Sequence, residues 1–242
     1  MSASRRNSSN LKLPLRTMER IESLPLFPLS NVVLLPEVSV PLRLFEPRYL
    51  QMARDVLAGE KQIGMVTVHP DRIPDMAGDP PTFAVGCLGR ISRAQEQPDG
   101  TYQILLLGLS RFKILEEEER VGDRLYRSAR VELLEDELPS RSAEAVARLE
   151  EQRADLLALL ERFVHRLGRE GTGELAVRTF EDLESGLLIN ALTQSIALGS
   201  LERQQLLEAN SIVGRFEIMC DLLRFRLAEI DGGEIEPTGL LN

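Results

Sequence analysis

The sequence predicts an α+β protein, in which a curled, mainly antiparallel β-barrel-like domain with one short helix is followed by an α-helical bundle. Four segments between residues 62 and 135 are rich in β-branched, aromatic and aliphatic residues, as β-strands are. After Pro139 the composition changes to Leu, Ala, Glu and Arg, and apolar residues recur at helical spacing. This change in composition predicts the boundary between the two parts.

We expect four segments along the chain. Residues 1–21 are predicted to be a disordered leader, 22–138 a β-rich domain, 139–230 a helical bundle and 231–242 a flexible tail. The 242 residues are 43% hydrophobic and 28% charged, which is an ordinary globular composition. A chain of this size can bury a substantial core.

The charge and cysteine content narrow the functional class. The net charge of -9 disfavours nucleic acid and anionic membranes as partners. The leader is basic, but so short a run without aromatic residues is typical of a solvated terminus. No apolar stretch follows its arginines, as a secretory signal would require, and two cysteines cannot form a disulfide framework. We therefore expect a cytoplasmic protein.

Residues 21–49 are predicted to form short strands. Prolines at 25, 28, 36 and 41 exclude a helix and also a long central strand, so kinked strands at an edge or a barrel corner are expected. A helix is predicted at 47–58, because Pro47 suits the first helical position and Glu46 the N-cap. Phe45 and Leu50 have the spacing of a hydrophobic staple across this helix start.

The later elements follow from turn residues and periodicity. Asp99-Gly100 predicts a hairpin between two of the four strands, and Gly86 and Gly89 predict bulges or close approaches in a bent strand. In the second half, one long helix over residues 146–167 is expected. The other predicted helices cover residues 174–183, 187–198, 201–209 and 212–227.

Several short sequence motifs indicate a family. The first three motifs are Pro25 to Leu29 (PLFPL), Val32 to Pro36 (VVLLP) and Pro41 to Tyr49 (PLRLFEPRY). Further family-like motifs lie at residues 63–66, 85–91, 99–108, 110–114 and 126–136. In this order, they resemble the N-terminal substrate-binding domain of Lon-type ATP-dependent proteases. The resemblance implies a PUA-like β-barrel, a helical bundle and the binding of protein substrates. We identify the chain as a stand-alone relative of that domain.

Two departures from the family pattern matter. Glu37 stands where the family usually has Gly, which suggests an ordinary turn geometry or a shifted loop. The three lysines are followed by Leu, Gln and Ile, so a GK[ST] phosphate loop is absent, and the catalytic Ser-Lys pair has no counterpart. The resemblance therefore implies a non-catalytic, proteolysis-related module, not an enzyme.

Other residues that could carry chemistry lack the partners it needs. Ser110 lies in an incomplete nucleophile elbow, because the closing Gly is missing. Cys87 and Cys220 are expected to be buried, and the two histidines have no metal ligand at suitable spacing. We predict no catalytic residue, no metal site and no cofactor.

The residues within the most family-like motifs are expected to have structural roles. Glu46, Arg48 and Arg111 could contact substrate, but a charge pair or cap joining helix to barrel is favoured. Phe45, Tyr49 and Phe112 belong to the same structural motif.

The segment at residues 69–83 is the candidate client-binding site. It is long for a hairpin connection and contains four prolines, yet carries Ile73, Met76 and Phe83. These apolar side chains could form one wall of a groove for an extended client, since Met suits varied partners. The alternative is that they fold back and cap the open end of the barrel.

Two functions stay open. In the first, the chain binds exposed apolar segments of unfolded or partly folded proteins, alone or as an adaptor for a separate protease or chaperone machine. In the second, it is a scaffold or a self-associating protein, such as a homodimer, without a client site.

Overall fold

The computed structural model describes residues 19–136, 142–167 and 178–232. The predicted leader up to residue 18, the tail from residue 233 and the start of the predicted 174–183 helix lie outside these ranges. Six strands form one mixed sheet in the order β2-β5-β4-β3-β1-β6, and β5 also pairs with β6. The strands are β1 (Arg20–Leu29), β2 (Ser39–Leu44), β3 (Gln62–Thr67), β4 (Val85–Glu96), β5 (Tyr102–Glu117) and β6 (Arg127–Leu134).

The β5–β6 pairing closes five of the strands into a ring, and β2 extends the sheet beyond it. Only the β1–β3 pair is parallel among these pairings. The predicted curled, mainly antiparallel β part is therefore confirmed. The predicted hairpin at Asp99-Gly100 joins β4 and β5, with Gly100 at a φ of 78°.

The helices also agree with the predicted fold class. The helix α1 (Pro47–Leu57) and a 3₁₀ helix (Pro70–Asp75) lie within the β part. The C-terminal part contains α2 (Ala143–Arg166), α3 (Ser185–Ser195), α4 (Ser200–Glu208) and α5 (Ile212–Gly232). The side chain of Ser142 caps α2 by accepting a hydrogen bond from Ala145 N at 3.2 Å. One apolar core joins α2, α3, α4 and α5.

The prediction of only short strands at residues 21–49 is wrong, because β1 has ten residues and is paired on both sides. Its N-terminal half pairs with β6 and its C-terminal half with β3, with Leu26 in both ladders. Pro25 lies opposite Ser128 of β6, and Pro28 lies opposite Val66 of β3. Each proline is therefore paired with a neighbouring strand on one side only. On its other side no ladder hydrogen bond is needed.

The predicted staple across the start of α1 is also wrong. The Phe45 side chain is 63% exposed, so it does not clamp the helix. Tyr49 instead anchors this end, with its ring centroid 4.6 Å from that of Phe27. Glu46 is the N-cap residue, but its side chain does not cap the helix; its carboxylate pairs with Arg48 at 2.8 Å.

The turn at Glu37 differs from the expectation as well. Glu37 has a φ of 63°, in the left-handed region that favours Gly. This conformation lets Glu37 N donate to Gly108 O at 2.9 Å, while Gly108 N donates to Val38 O at 2.9 Å. The backbone therefore keeps the geometry that a Gly would adopt easily, in spite of the side chain.

Gly86 and Gly89 are close approaches in β4, as predicted. A Cβ at Gly86 would lie 2.5 Å from Met65 O, and one at Gly89 would lie 2.7 Å from the side chain of Leu106. The register of β4 against β5 also shifts next to Gly89. These glycines let neighbouring strands bend tightly around the barrel core.

A buried polar network joins the barrel to the helices. Arg111 of β5 and Arg215 of α5 both pair with Asp136, which follows β6; the Arg111 Nη2–Asp136 Oδ1 distance is 2.8 Å. Arg111 Nη1 also donates to the carbonyls of Leu207 and Ala209, at 3.0 and 2.8 Å. Arg215 Nη1 donates to Asn190 Oδ1 at 3.2 Å. One carboxylate thus holds β5 and α5 together.

Candidate protein-binding site

Three segments converge at one end of the barrel. They are the start of α1 (residues 45–51), the connection between β3 and β4 (69–83), and the connection between β5 and β6 (118–126). We call this surface the loop end. Side-chain hydrogen bonds join each of the three segments to the other two, so their relative positions are fixed.

Arg48 connects α1 to the 69–83 segment. Its Nη1 donates to Gly78 O at 2.8 Å and its Nη2 to Met76 O at 2.7 Å. Glu46 pairs with the same guanidinium, which also lies 4.7 Å from the Tyr49 ring centroid. Burial raises the pKa of Tyr49 to about 12. Arg48 therefore acts as a fixed support for the segment.

Gln51 connects α1 to the 118–126 segment. Its Nε2 donates to Asp123 O at 3.1 Å, and its Oε1 accepts from Leu125 N at 2.7 Å. Nearby, Tyr126 donates to Asp55 Oδ2 at 2.9 Å. Burial and this hydrogen bond raise the pKa of Tyr126 to about 12. The second connection is thus held through both backbone and side-chain bonds.

Two arginines hold the 69–83 segment from the other side: Arg120 lies in the 118–126 connection, and Arg127 is the first residue of β6. Arg120 Nη2 contacts Asp79 Oδ1 at 2.6 Å, and this hydrogen bond lowers the pKa of the Asp79 carboxyl. Arg127 Nη1 donates to Pro80 O at 2.8 Å. At the base of the 69–83 segment, Phe83 N donates to Thr67 O at 2.9 Å. The segment is therefore held along its length and at its base.

The loop end presents large apolar side chains to solvent. Eight large hydrophobic residues are exposed in the described ranges, and four of them lie here. They are Phe45 (63% exposed), Ile73 (41%), Val121 (78%) and Leu125 (49%). The other four are distributed over β5, α2, α4 and α5. A set of exposed apolar residues on a rigid frame is typical of a protein-binding surface.

The predicted client-binding residues differ in what they can contact. Ile73 is exposed, and Met76 is half-buried with its carbonyl bound to Arg48. Phe83 is half-buried, and its ring centroid lies 4.0 Å from that of His69. Ile73 and Met76 are thus available at the loop end, whereas Phe83 packs at the base of the segment.

The sequence did not single out Val121 and Leu125. Both follow the acidic run at 116–119, and a run of consecutive carboxylates is typical of a solvated loop. No sequence pattern indicates the hydrogen bonds by which Gln51 holds this loop against α1. An apolar residue directly after a charged run was the one available signal.

The remaining motif residues lie in the interior. Phe112 is fully buried in the barrel, and Arg111 is 2% exposed at the junction with the helices. Tyr49 packs on Phe27. These positions support the structural interpretation of the motif. Burial raises the pKa of both free thiols, Cys87 and Cys220.

Two kinds of feature are absent from the described ranges. In residues 19–136, 142–167 and 178–232, no group of three or more His, Cys, Asp or Glu side chains is placed to hold a metal ion. Within the same ranges, none of the helices has the length and apolar character needed to cross a membrane.

Comparison with known proteins places this geometry in a family. Residues 23–224 match the family model of the ATP-dependent protease La (Lon) substrate-binding domain. The chain belongs to this family. Relatives include the Lon proteases of Flavobacterium johnsoniae, 27% identical over 214 residues, and Dictyoglomus thermophilum, 26% identical over 205 residues. These alignments cover 88% and 84% of this chain but only 25% and 24% of the relatives.

Solved Lon domains have the same fold. The Lon N-terminal domain protein from Xanthomonas campestris is 26% identical, with a TM-score of 0.56 over 85% of this chain and 99% of that one. The N-terminal domain of Mycobacterium avium complex Lon protease has a TM-score of 0.60 at 19% identity, covering 84% and 98% of the two chains. The predicted resemblance to Lon substrate-binding domains is confirmed.

Proposed function

We propose that this Lon-type domain binds apolar segments of unfolded or partly folded proteins through the loop end. The observation that carries this proposal is the set of four exposed apolar side chains on three segments that are hydrogen-bonded to one another. A rigid frame lowers the entropy lost on binding, because the apolar residues are already positioned. The half-buried Met76 adds a flexible side chain that can adapt to different clients.

Point variants with a matched control test this proposal. Phe45→Ser removes an exposed ring from the loop end, whereas Phe225→Ser removes a ring of similar exposure, 58%, from α5. Partial burial of one such ring contributes about 1 kcal/mol, or about fivefold in Kd. We expect Phe45→Ser combined with Ile73→Ser to weaken binding of a labelled unfolded model protein at least tenfold, on the order of 1.4 kcal/mol or more.

Fluorescence anisotropy measures the binding, and thermal unfolding verifies that each variant is folded. Equal affinities of the double variant and Phe225→Ser would exclude the loop end as the client site. If Phe225→Ser alone abolished concentration-dependent self-association, the scaffold alternative would be supported instead. Mass measurements by light scattering over a range of concentrations separate these outcomes.

We also propose that the chain binds these clients without cleaving them or hydrolysing ATP. The matched family model is a substrate-binding domain, and no GK[ST] sequence occurs in the 242 residues. Both cysteine thiols are buried and have raised pKa values, which makes them poor nucleophiles. Calorimetry with ATP should show no saturable heat, and a casein digest should show no products; either signal would contradict the proposal.

A further inference from the structure

A three-stranded ribbon continues the sheet beyond the closed barrel, and it contains none of the loop-end residues that carry the proposed function. It comprises β2 (39–44), the first part of β5 (102–107) and the second part of β4 (90–96). The first part of β5 pairs with β2 on one side and with the second part of β4 on the other. The pairing of β3 with β4 ends at Arg90, and that of β6 with β5 begins at Arg111. The ribbon is thus a distinct surface.

The two faces of the ribbon have different environments. On β5, Tyr102, Ile104 and Leu106 are buried, so the alternate residues Gln103, Leu105 and Leu107 face outward. The strand registers complete three rows across this outer face. The rows are Ser39–Leu107–Arg90, Pro41–Leu105–Arg93 and Arg43–Gln103–Gln95. The last two rows line an open depression of about 470 Å³.

This outer face is positively charged, although the chain carries a net charge of -9. Arg43 pairs with Asp99 at 2.9 Å. Arg90 and Arg93 are exposed, and neither has an ion-pair partner among the residues that the structure describes. Two guanidinium groups without carboxylate partners therefore lie on the same face of β4.

The groups around the depression match one class of ligand. Guanidinium groups bind carboxylates through paired, charge-assisted hydrogen bonds. The amides of Gln95 and Gln103 can donate to and accept from a peptide backbone. Leu105 and Pro41 supply an apolar floor between the charged groups. The tyrosine of the ribbon, Tyr102, is buried, so an aromatic platform for nucleotide bases is absent from this face in the described residues.

We propose that the outer face of the ribbon binds an extended acidic peptide, with its carboxylates on Arg90 and Arg93 and its apolar side chains on Leu105. This surface does not share residues with the loop end. It is therefore a second interaction site, suited to an acidic segment of a partner protein or client.

Fluorescence anisotropy with short labelled peptides tests this site. The probe is a peptide that repeats Asp-Leu-Asp-Ser, and two matched peptides, the Asn twin and the Lys twin, carry Asn or Lys in place of each Asp. We expect the acidic peptide to bind at least about tenfold more tightly than the Asn twin, and its affinity to fall as salt increases. The combination Arg90→Gln and Arg93→Gln should weaken binding of the acidic peptide by about tenfold or more.

The combination Arg54→Gln and Arg162→Gln is the matched control, since both arginines are exposed on helices and the net charge changes equally. We expect it to alter affinity less than about twofold. Equal binding of the acidic and Asn peptides would overturn the proposal, as would equal effects of the two double variants. Tighter binding of a single-stranded oligouridine to the same arginines would overturn it in favour of phosphate recognition.

An Ile73→Ser variant separates this site from the loop end. It should bind the acidic peptide as the wild type does, because Ile73 lies in the β3–β4 connection, at the end of β4 opposite the ribbon. Weaker unfolded-protein binding with retained acidic-peptide binding would establish two independent sites. Loss of both in Ile73→Ser would refute the separate ribbon site.

Discussion

Replacing Asp136 with Asn should destabilise the protein strongly, because this carboxylate neutralises two buried guanidinium groups. The side chains of Arg111 and Arg215 are 2% and 1% exposed, and the Asp136 side chain is 29% exposed. Asn has nearly the same shape but no charge, so the substitution leaves two buried cations without a counter-charge. Removing one partner of a buried ion pair typically costs 3–5 kcal/mol.

We expect the cost here to be about 3 kcal/mol, the lower end of that range, because water reaches part of Asp136. Urea unfolding followed by far-UV circular dichroism measures it as a lower midpoint concentration. The control is Glu217→Gln, since Glu217 pairs with Arg148 at 3.2 Å and both side chains are more than half exposed. This substitution should cost less than about 0.5 kcal/mol.

The double-mutant cycle gives a second measurement. Arg215→Met removes one of the two cations, so Asp136→Asn should be less harmful in that background. A loss below about 1 kcal/mol for Asp136→Asn, equal to the control within error, would refute the argument. It would show that the two guanidinium groups are sufficiently solvated by their carbonyl partners.

Three further predictions follow from positions that the structure revised or confirmed. Glu37→Gly should raise the free energy of unfolding by about 0.5–1 kcal/mol, because Gly adopts a φ of 63° without strain; a lower thermal midpoint would contradict this. Phe45→Ala should cost less than about 1 kcal/mol in chemical denaturation, since the ring is 63% exposed, and a loss of several kcal/mol would restore the staple. Cys87 and Cys220 should react with iodoacetamide only after unfolding, because burial raises both pKa values and so lowers the thiolate fraction at pH 8; rapid labelling of the native protein would show that a thiol is accessible.

Local patterns predicted the elements, and partners distant in sequence decided the exceptions. Alternation, periodicity and the Asp99-Gly100 turn located the strands, the hairpin and the helices. The expectation that prolines exclude a long central strand failed at Pro25 and Pro28. It assumes a strand that is paired on both sides along its whole length. β1 changes neighbours at Leu26, and no pattern within β1 indicates that change.

The same limit applies to the polar residues of the interior. Arg215 was a visible exception, since it lies beside Phe216 and Met219 on the buried side of α5. Its partner Asp136 follows β6 and is 79 residues earlier, so their pairing could not be predicted. At the loop end, Ile73 and Met76 were found because they interrupt a proline-rich segment. Val121 and Leu125 were missed because their position depends on Gln51.

The bonds that hold the 69–83 segment have a consequence for the evolution of the surface. Arg48 and Arg127 donate to the main-chain oxygens of Met76, Gly78 and Pro80. Every amino acid supplies such an oxygen, so these attachments do not depend on which side chains the segment carries. Substitutions along the segment can therefore exchange the groups shown to a partner while the attachment stays intact. Selection can therefore alter the proposed binding surface one residue at a time, without first rebuilding the scaffold.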